Sequence, residues 1–120
     1  MIDDDALRAL ALALPEVEAG GDPYAFSVGG KALAWAYLAR PAPKASRVRI
    51  PGVIAIRCRI ETKDLLIEAA PDRFFTDDHY RGYPAVLARL AEIEAEELAG
   101  LLREAWRIVA PKAVARRYQV

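Results

Sequence analysis

The 120-residue chain reads as an α+β domain of two layers, an antiparallel-rich sheet with helices on one face, in the order α-β(3)-α-β(2)-α. Three observations lead there. Apolar residues recur at helical spacing near both ends, short segments between them alternate with period two, and clusters of Gly and Pro mark the boundaries. With 54% hydrophobic residues the chain has enough apolar side chain for one core, so residues 1–120 are read as a single domain.

The first helix rests on Leu7, Leu10, Ala11 and Leu14, with Asp3 to Asp5 as caps and Pro15 as its stop. Glu16 to Pro23 reads as a loop through Gly20-Gly21-Asp22-Pro23. Tyr24 to Val28 alternates as a strand, Gly29-Gly30 is a two-residue hairpin turn, and Lys31 to Leu38 returns. Arg40 to Gly52, with Pro41, Pro43 and Pro51, shows no period and is expected to be a surface loop. Val53 to Ile60 is the third strand, and Thr62 caps a short helix, Lys63 to Ala70, ended by Pro71. Arg73 to Thr76 is extended, Asp77 to Pro84 is turn-rich, and Ala85 to Ala91 is the last strand. The final helix, Ala95 to Ala110, carries the stripe Leu98, Leu101, Leu102, Ala105 and Val109.

The first residues are acidic where a secretory signal would be basic, and no apolar run approaches the roughly 18 to 20 residues of a membrane span. A soluble, cytoplasmic protein with no membrane partner is therefore expected. Cys58, the only cysteine, alternates onto the side of Ile54, Ile56 and Ile60 and is expected to be an inert core residue.

Candidate chemistry is sparse. Gly29-Gly30-Lys31 lacks the spacing and the following helix of a phosphate loop. His79, the only histidine, stands beside Asp77 and Asp78 but has no second histidine at metal-ligand spacing. No catalytic residue, metal or cofactor is expected, and the chain is read as a non-enzyme.

Charge is more informative. The net charge is zero, yet residues 31–60 hold seven basic and no acidic residues, whereas residues 1–30 hold one basic against six acidic. Alternation puts Arg57 and Arg59 on the strand face opposite the apolar residues. If Ala32, Ala34 and Ala36 lie under a helix, then Lys31, Leu33, Trp35 and Tyr37 share the arginines' face, and Arg89 joins them if Val86, Ala88 and Leu90 are the buried set of the last strand. The opposite assignment would bury Trp35 and Tyr37. Arginines interleaved with aromatics on an open sheet, extended by Arg40, Lys44, Arg47 and Arg49, suit a polyanion with stackable bases. The plainer reading is a solvated sheet face.

The run Phe74 to Leu87, containing His79-Tyr80-Arg81-Gly82-Tyr83-Pro84-Ala85-Val86-Leu87, resembles the MmcQ/YjbR family. So do Leu14-Pro15-Glu16-Val17-Glu18, the Phe26 to Lys31 hairpin with Ala34 and Trp35, and Leu98 to Pro111 with Glu104-Ala105-Trp106-Arg107. The resemblance implies a fold similar to secretion chaperones and grouped as CyaY-like, and a DNA-binding role through a double wing of hairpins. Ser27 stands where a lysine is frequent, and Leu33 where an aromatic is expected. The family motif His79, Tyr80, Gly82, Tyr83 and Pro84 has two readings: architecture, with Gly82 for a tight turn and Pro84 opening a strand, or a ligand rim around His79, Tyr80 and Arg81.

The expectation is a nucleic-acid-binding module, with DNA as partner, contacting phosphates through Arg40, Lys44, Arg47, Arg49, Arg57 and Arg59, with Trp35 among them. The chain would act as a monomer or homodimer. The alternative is a protein-interaction module dimerising through Leu33, Trp35 and Tyr37. Third stands an enzyme with an anionic substrate near His79 and Arg81.

Overall fold

A computed structural model describes residues 1–120. Helix α1 (Asp4–Leu12) begins where the Asp3 carboxylate accepts the Ala6 amide at 2.8 Å, so the acidic start serves as a cap. Strands β1 (Val17–Ala19), β2 (Phe26–Val28), β3 (Lys31–Ala39) and β4 (Val48–Arg57) follow, then helix α2 (Ile60–Ala69). Strands β5 (Phe74–Phe75) and β6 (Ala85–Arg89), helix α3 (Ala95–Val109) and the short α4 (Lys112–Ala115) complete the chain. The sheet runs β1-β2-β3-β4-β6-β5 with every neighbouring pair antiparallel.

The α+β class and the helices on one face hold, with corrections of detail. Val17–Ala19, expected in a loop, pairs with β2 as an edge strand. The open loop after β3 is shorter than expected, because β4 resumes at Val48. Pro51 and Gly52 then sit in an irregularity where the register jumps from Leu38↔Arg49 to Ala36↔Ile54. Gly52 takes φ +80° there and donates its amide to the Tyr24 hydroxyl at 2.9 Å, a bulge that accommodates a proline within a strand. Helix α2 starts at Ile60 rather than after Thr62, with Arg59 at the N-cap position and no side-chain cap. Strand β6 ends at Arg89.

The main core lies between the sheet and all four helices. Leu7 and Ala11 of α1, Leu98, Leu102, Ala105 and Trp106 of α3, Ala70 after α2 and Val114 of α4 meet Val28, Ala34, Ile54, Ile56, Val86 and Ala88. The β2–β3 turn is pressed against this layer. Gly29 and Gly30 adopt φ +59° and +78°, and a Cβ on Gly29 would fall 2.3 Å from Pro111 Cγ.

Cys58 is buried in that core beside Ile54 and Ile56, as its alternation requires. Burial pushes its thiol from 9 up to about 11. The unfolded chain therefore releases this proton at lower pH than the folded one. The contribution is full below about pH 9 and is lost as pH rises towards 11. Urea unfolding midpoints are expected to fall across that window, and a thiol reagent should label Cys58 only as fast as the protein unfolds. Rapid labelling of native protein would contradict this burial.

Candidate functional site

The sheet face opposite the helices is not open. The connection between β5 and β6, residues 76–84, folds across it and builds a second cluster. Tyr37, Val53, Ala55, Tyr80, Ala85 and Leu87 are buried there, with Trp35, Ala39, Ile50 and Phe75 packed against them. Trp35, Tyr37, Arg57 and Arg89 do share this face, through the pairs Trp35↔Ala55 and Val53↔Arg89. Leu33 does not. The β2–β3 register shifts so that Phe26 faces Ala34 while Ser27 faces Ala32, and Leu33 turns into the main core, fully buried. Because Leu33 is inside and Tyr37 is only 7% exposed, the apolar patch on which dimerisation was expected to rest is absent.

Polar contacts hold the covering segment in one conformation. Lys63, only 2% exposed on α2, donates from Nζ to the carbonyls of Tyr80 and Tyr83, the latter at 3.0 Å. Desolvation pushes its amine below the ordinary lysine value. Asp77 accepts the Tyr37 hydroxyl at 2.6 Å and the Tyr80 amide at 2.9 Å. Burial works against its ionisation, but these bonds outweigh burial and hold the carboxyl below its usual value. Burial, and then the bond to Asp77, pushes the Tyr37 hydroxyl up to about 12. Trp35 Nε1 donates to the Tyr80 hydroxyl at 2.9 Å. Gly82 turns the chain at φ +73°, and the Pro84 carbonyl accepts the Cys58 amide just before β6. The His-Tyr-x-Gly-Tyr-Pro run is thus the lid of the second cluster, built over the sheet face.

The basic residues divide. Arg49 forms a two-pronged pair with Asp22, at 2.7 and 3.0 Å, and stacks over the Tyr24 ring at 4.4 Å, so it is engaged inside the chain. The bond from Arg49 holds the Asp22 carboxyl below its usual value. Arg57 lies over Trp35 and Tyr83, 5.5 and 5.2 Å from the ring centres, and donates to the Tyr83 hydroxyl at 3.2 Å. It has no acidic partner, and its Nε is buried without an acceptor. Arg59 is off the strand, exposed at the α2 N-cap. Arg40 and Lys44 are exposed and make no ion pair, and Lys44 takes φ +67°.

Two hollows meet at His79. The larger, 640 Å³, lies between the Arg40–Arg47 loop and the 77–79 turn, with Arg40, Arg47, Tyr37 and Asp77 on its walls. Arg47 also donates to the Leu38 carbonyl at 3.3 Å. Of the acidic groups there, Asp77 is held as above and Asp78 pairs with Arg81. The smaller, 260 Å³, is lined by Trp35, His79, Tyr80 and Tyr83. No three or more His, Cys, Asp and Glu side chains gather where they could hold a metal ion. No helix is long and apolar enough to cross a membrane.

The sequence reading missed Lys63, although a signal was present. It occupies the helical stripe with Leu66, Ile67 and Ala70, where a lysine is out of place unless its amine has buried acceptors. The Asp22–Arg49 pair spans 27 residues and had no local signature.

The chain is thus an α+β domain whose six-stranded antiparallel sheet is backed by helices on one face and closed on the other by an aromatic lid. The YjbR family model matches residues 12–108, and the chain belongs to that family. Among its relatives are the uncharacterized proteins Rv2570 of Mycobacterium tuberculosis and Mb2600 of Mycobacterium bovis. Each is 38% identical over 106 residues, covering 80% of either chain. The fold is similar to that of the crystal structure of Deinococcus radiodurans protein DR2400, a DUF419 domain, with a TM-score of 0.58. That match covers 94% of this chain and 85% of the other at 17% identity.

Proposed function

We propose that this chain is a non-enzymatic nucleic-acid-binding module of the cytoplasm that holds phosphates on its Arg40–Arg47 loop. The observation that carries the reading is the cleft between that loop and the 77–79 turn. Arg40 and Arg47 line it, Lys44 stands exposed on the same loop, and of the two carboxylates there Asp78 is paired with Arg81 while Asp77 is turned to the Tyr37 hydroxyl and the Tyr80 amide. Arg59 stands beyond the far end of β4 from this loop, and Arg49 is spent on Asp22. A non-enzymatic role is supported by the burial of Cys58, which holds its thiol protonated. A free thiol suits the reducing cytoplasm.

Binding should be strongly salt-dependent. If Arg40, Lys44 and Arg47 neutralise three phosphates, the log-log slope of affinity against salt is about −2.7 for duplex and about −2.1 for single strands. Anisotropy titrations at low salt are the measurement. Arg40→Glu with Lys44→Glu is expected to weaken binding at least about tenfold and to flatten that slope, with circular dichroism unchanged. An affinity untouched by this double reversal would move the site away from the loop.

A further inference from the structure

We infer that the pocket of Trp35, His79, Tyr80 and Tyr83 receives one unstacked base of a single-stranded nucleic acid, giving the chain a preference for single strands over duplex. This deepens the phosphate-binding reading and rests on it. The pocket walls are aromatic rings set close to right angles: Trp35 against Tyr83 at 81°, Tyr80 against Tyr83 at 80°, His79 against Tyr80 at 88°. Edge-to-face packing covers part of each pair, but Trp35 is only half-buried and Tyr83 is exposed, so aromatic surface remains for a planar guest. Tyr83 is 41% exposed and His79 is exposed, so the guest can enter from solvent.

The walls are held before any ligand arrives. The Tyr80 hydroxyl accepts Trp35 Nε1, its amide is bonded to Asp77, and its carbonyl to Lys63. Rigid aromatic walls lose little conformational freedom on stacking. At 260 Å³ the pocket falls below the roughly 300–1,000 Å³ of drug-sized sites, which suits one ring system rather than a larger ligand.

Charge selects among planar or cationic guests. Aromatic cages that take methylated ammonium groups present bare ring faces to the cation. Here the Arg57 guanidinium already lies over both Trp35 and Tyr83, and no carboxylate lines the pocket. The Asp77 carboxylate is turned to the Tyr37 hydroxyl and the Tyr80 amide, so the nearest charge over the Trp35 and Tyr83 rings is that of Arg57, which favours a ring attached to phosphates over a cation. His79 also lines the larger cleft with Arg40 and Arg47, so a strand with a base in the pocket can continue onto the basic loop. A base paired within a duplex cannot reach the pocket without being extruded.

The test compares three dye-labelled probes of equal phosphate number by anisotropy at low salt: an oligothymidylate, an abasic strand and a duplex. The oligothymidylate is expected to bind about tenfold tighter than the abasic strand and tighter than the duplex. Intrinsic fluorescence should be quenched by the base-bearing strand, because Trp35 is partly exposed whereas Trp106 is only 2% exposed. Tyr83→Ala is expected to erase the difference between oligothymidylate and abasic strand, and Tyr83→Phe to retain it. Equal affinities for the base-bearing and abasic strands, or a difference that survives Tyr83→Ala, overturns the base pocket and leaves the phosphate loop standing. Failure of every probe to bind overturns both.

Discussion

Replacing Trp106 with alanine is expected to cost about 4 kcal/mol of unfolding free energy. Trp106 is 2% exposed in the main core, and its Nε1 donates to the Pro15 carbonyl at 2.8 Å across 91 residues of sequence. It joins α3 to the chain just beyond α1. Alanine leaves a large cavity and also deprives that carbonyl of its partner, which adds a term of about 1 kcal/mol. Domains of this size are stable by roughly 5 to 15 kcal/mol, so the variant would be close to unfolding. Urea denaturation is the measurement, read as a lowered midpoint with an unchanged slope. Trp106→Phe separates the terms: it keeps most of the packing and should cost about 1 to 2 kcal/mol. An alanine variant within about 1 kcal/mol of the parent would show that this seam is not what fastens α1 to α3.

Lys63→Met is expected to destabilise by about 3 kcal/mol, although methionine matches lysine in length and is the better core residue elsewhere. The ammonium satisfies two carbonyls, those of Tyr80 and Tyr83, that the thioether cannot. Each carbonyl left buried and unpaired costs roughly 1 to 3 kcal/mol. The loss is local in its first consequence: residues 76–84 should loosen over the second cluster, seen as faster amide exchange there while α3 stays protected.

Alkaline titration gives a second readout. Burial lowers the Lys63 value in the folded state, so between that value and 10.5 the unfolded chain binds more protons. Its contribution therefore improves as pH rises through that interval. Cys58 and Tyr37, raised to about 11 and about 12, act with the opposite sign. Removing Lys63 should make the alkaline loss of stability steeper, and an unchanged profile would count against the burial of its amine.

Both predictions concern contacts that were only partly legible in the chain. Trp106 belongs to the final helix, whose apolar stripe is evident, but its hydrogen bond to Pro15 depends on how two distant segments pack. Lys63 sits on an apolar helical stripe, a conflict between residue type and position visible in advance, yet nothing local names its acceptors. The candidate site divides similarly. The aromatic and basic residues could be listed from alternation and charge, and Trp35, Tyr37, Arg57 and Arg89 do share one face. Which cations are paired could not be known, because Arg49 meets Asp22 whereas Arg57 meets only two rings.

The amino-acid sequence by itself determined the α+β class, both terminal helices, the Gly29-Gly30 hairpin, the burial of Cys58 and membership in the YjbR family. These follow from periods, caps and turns that act over a few residues, and from a motif written in one run. Tertiary structure alone decided that Leu33 turns inward at a bulge and that residues 76–84 close over the second sheet face. It also decided that Arg49 is paired with Asp22 while Arg40, Lys44 and Arg57 make no ion pair. The reason is physical: a two-residue period says which side chains share a face, but not what covers that face. That depends on the free energy of packing segments far apart in the chain.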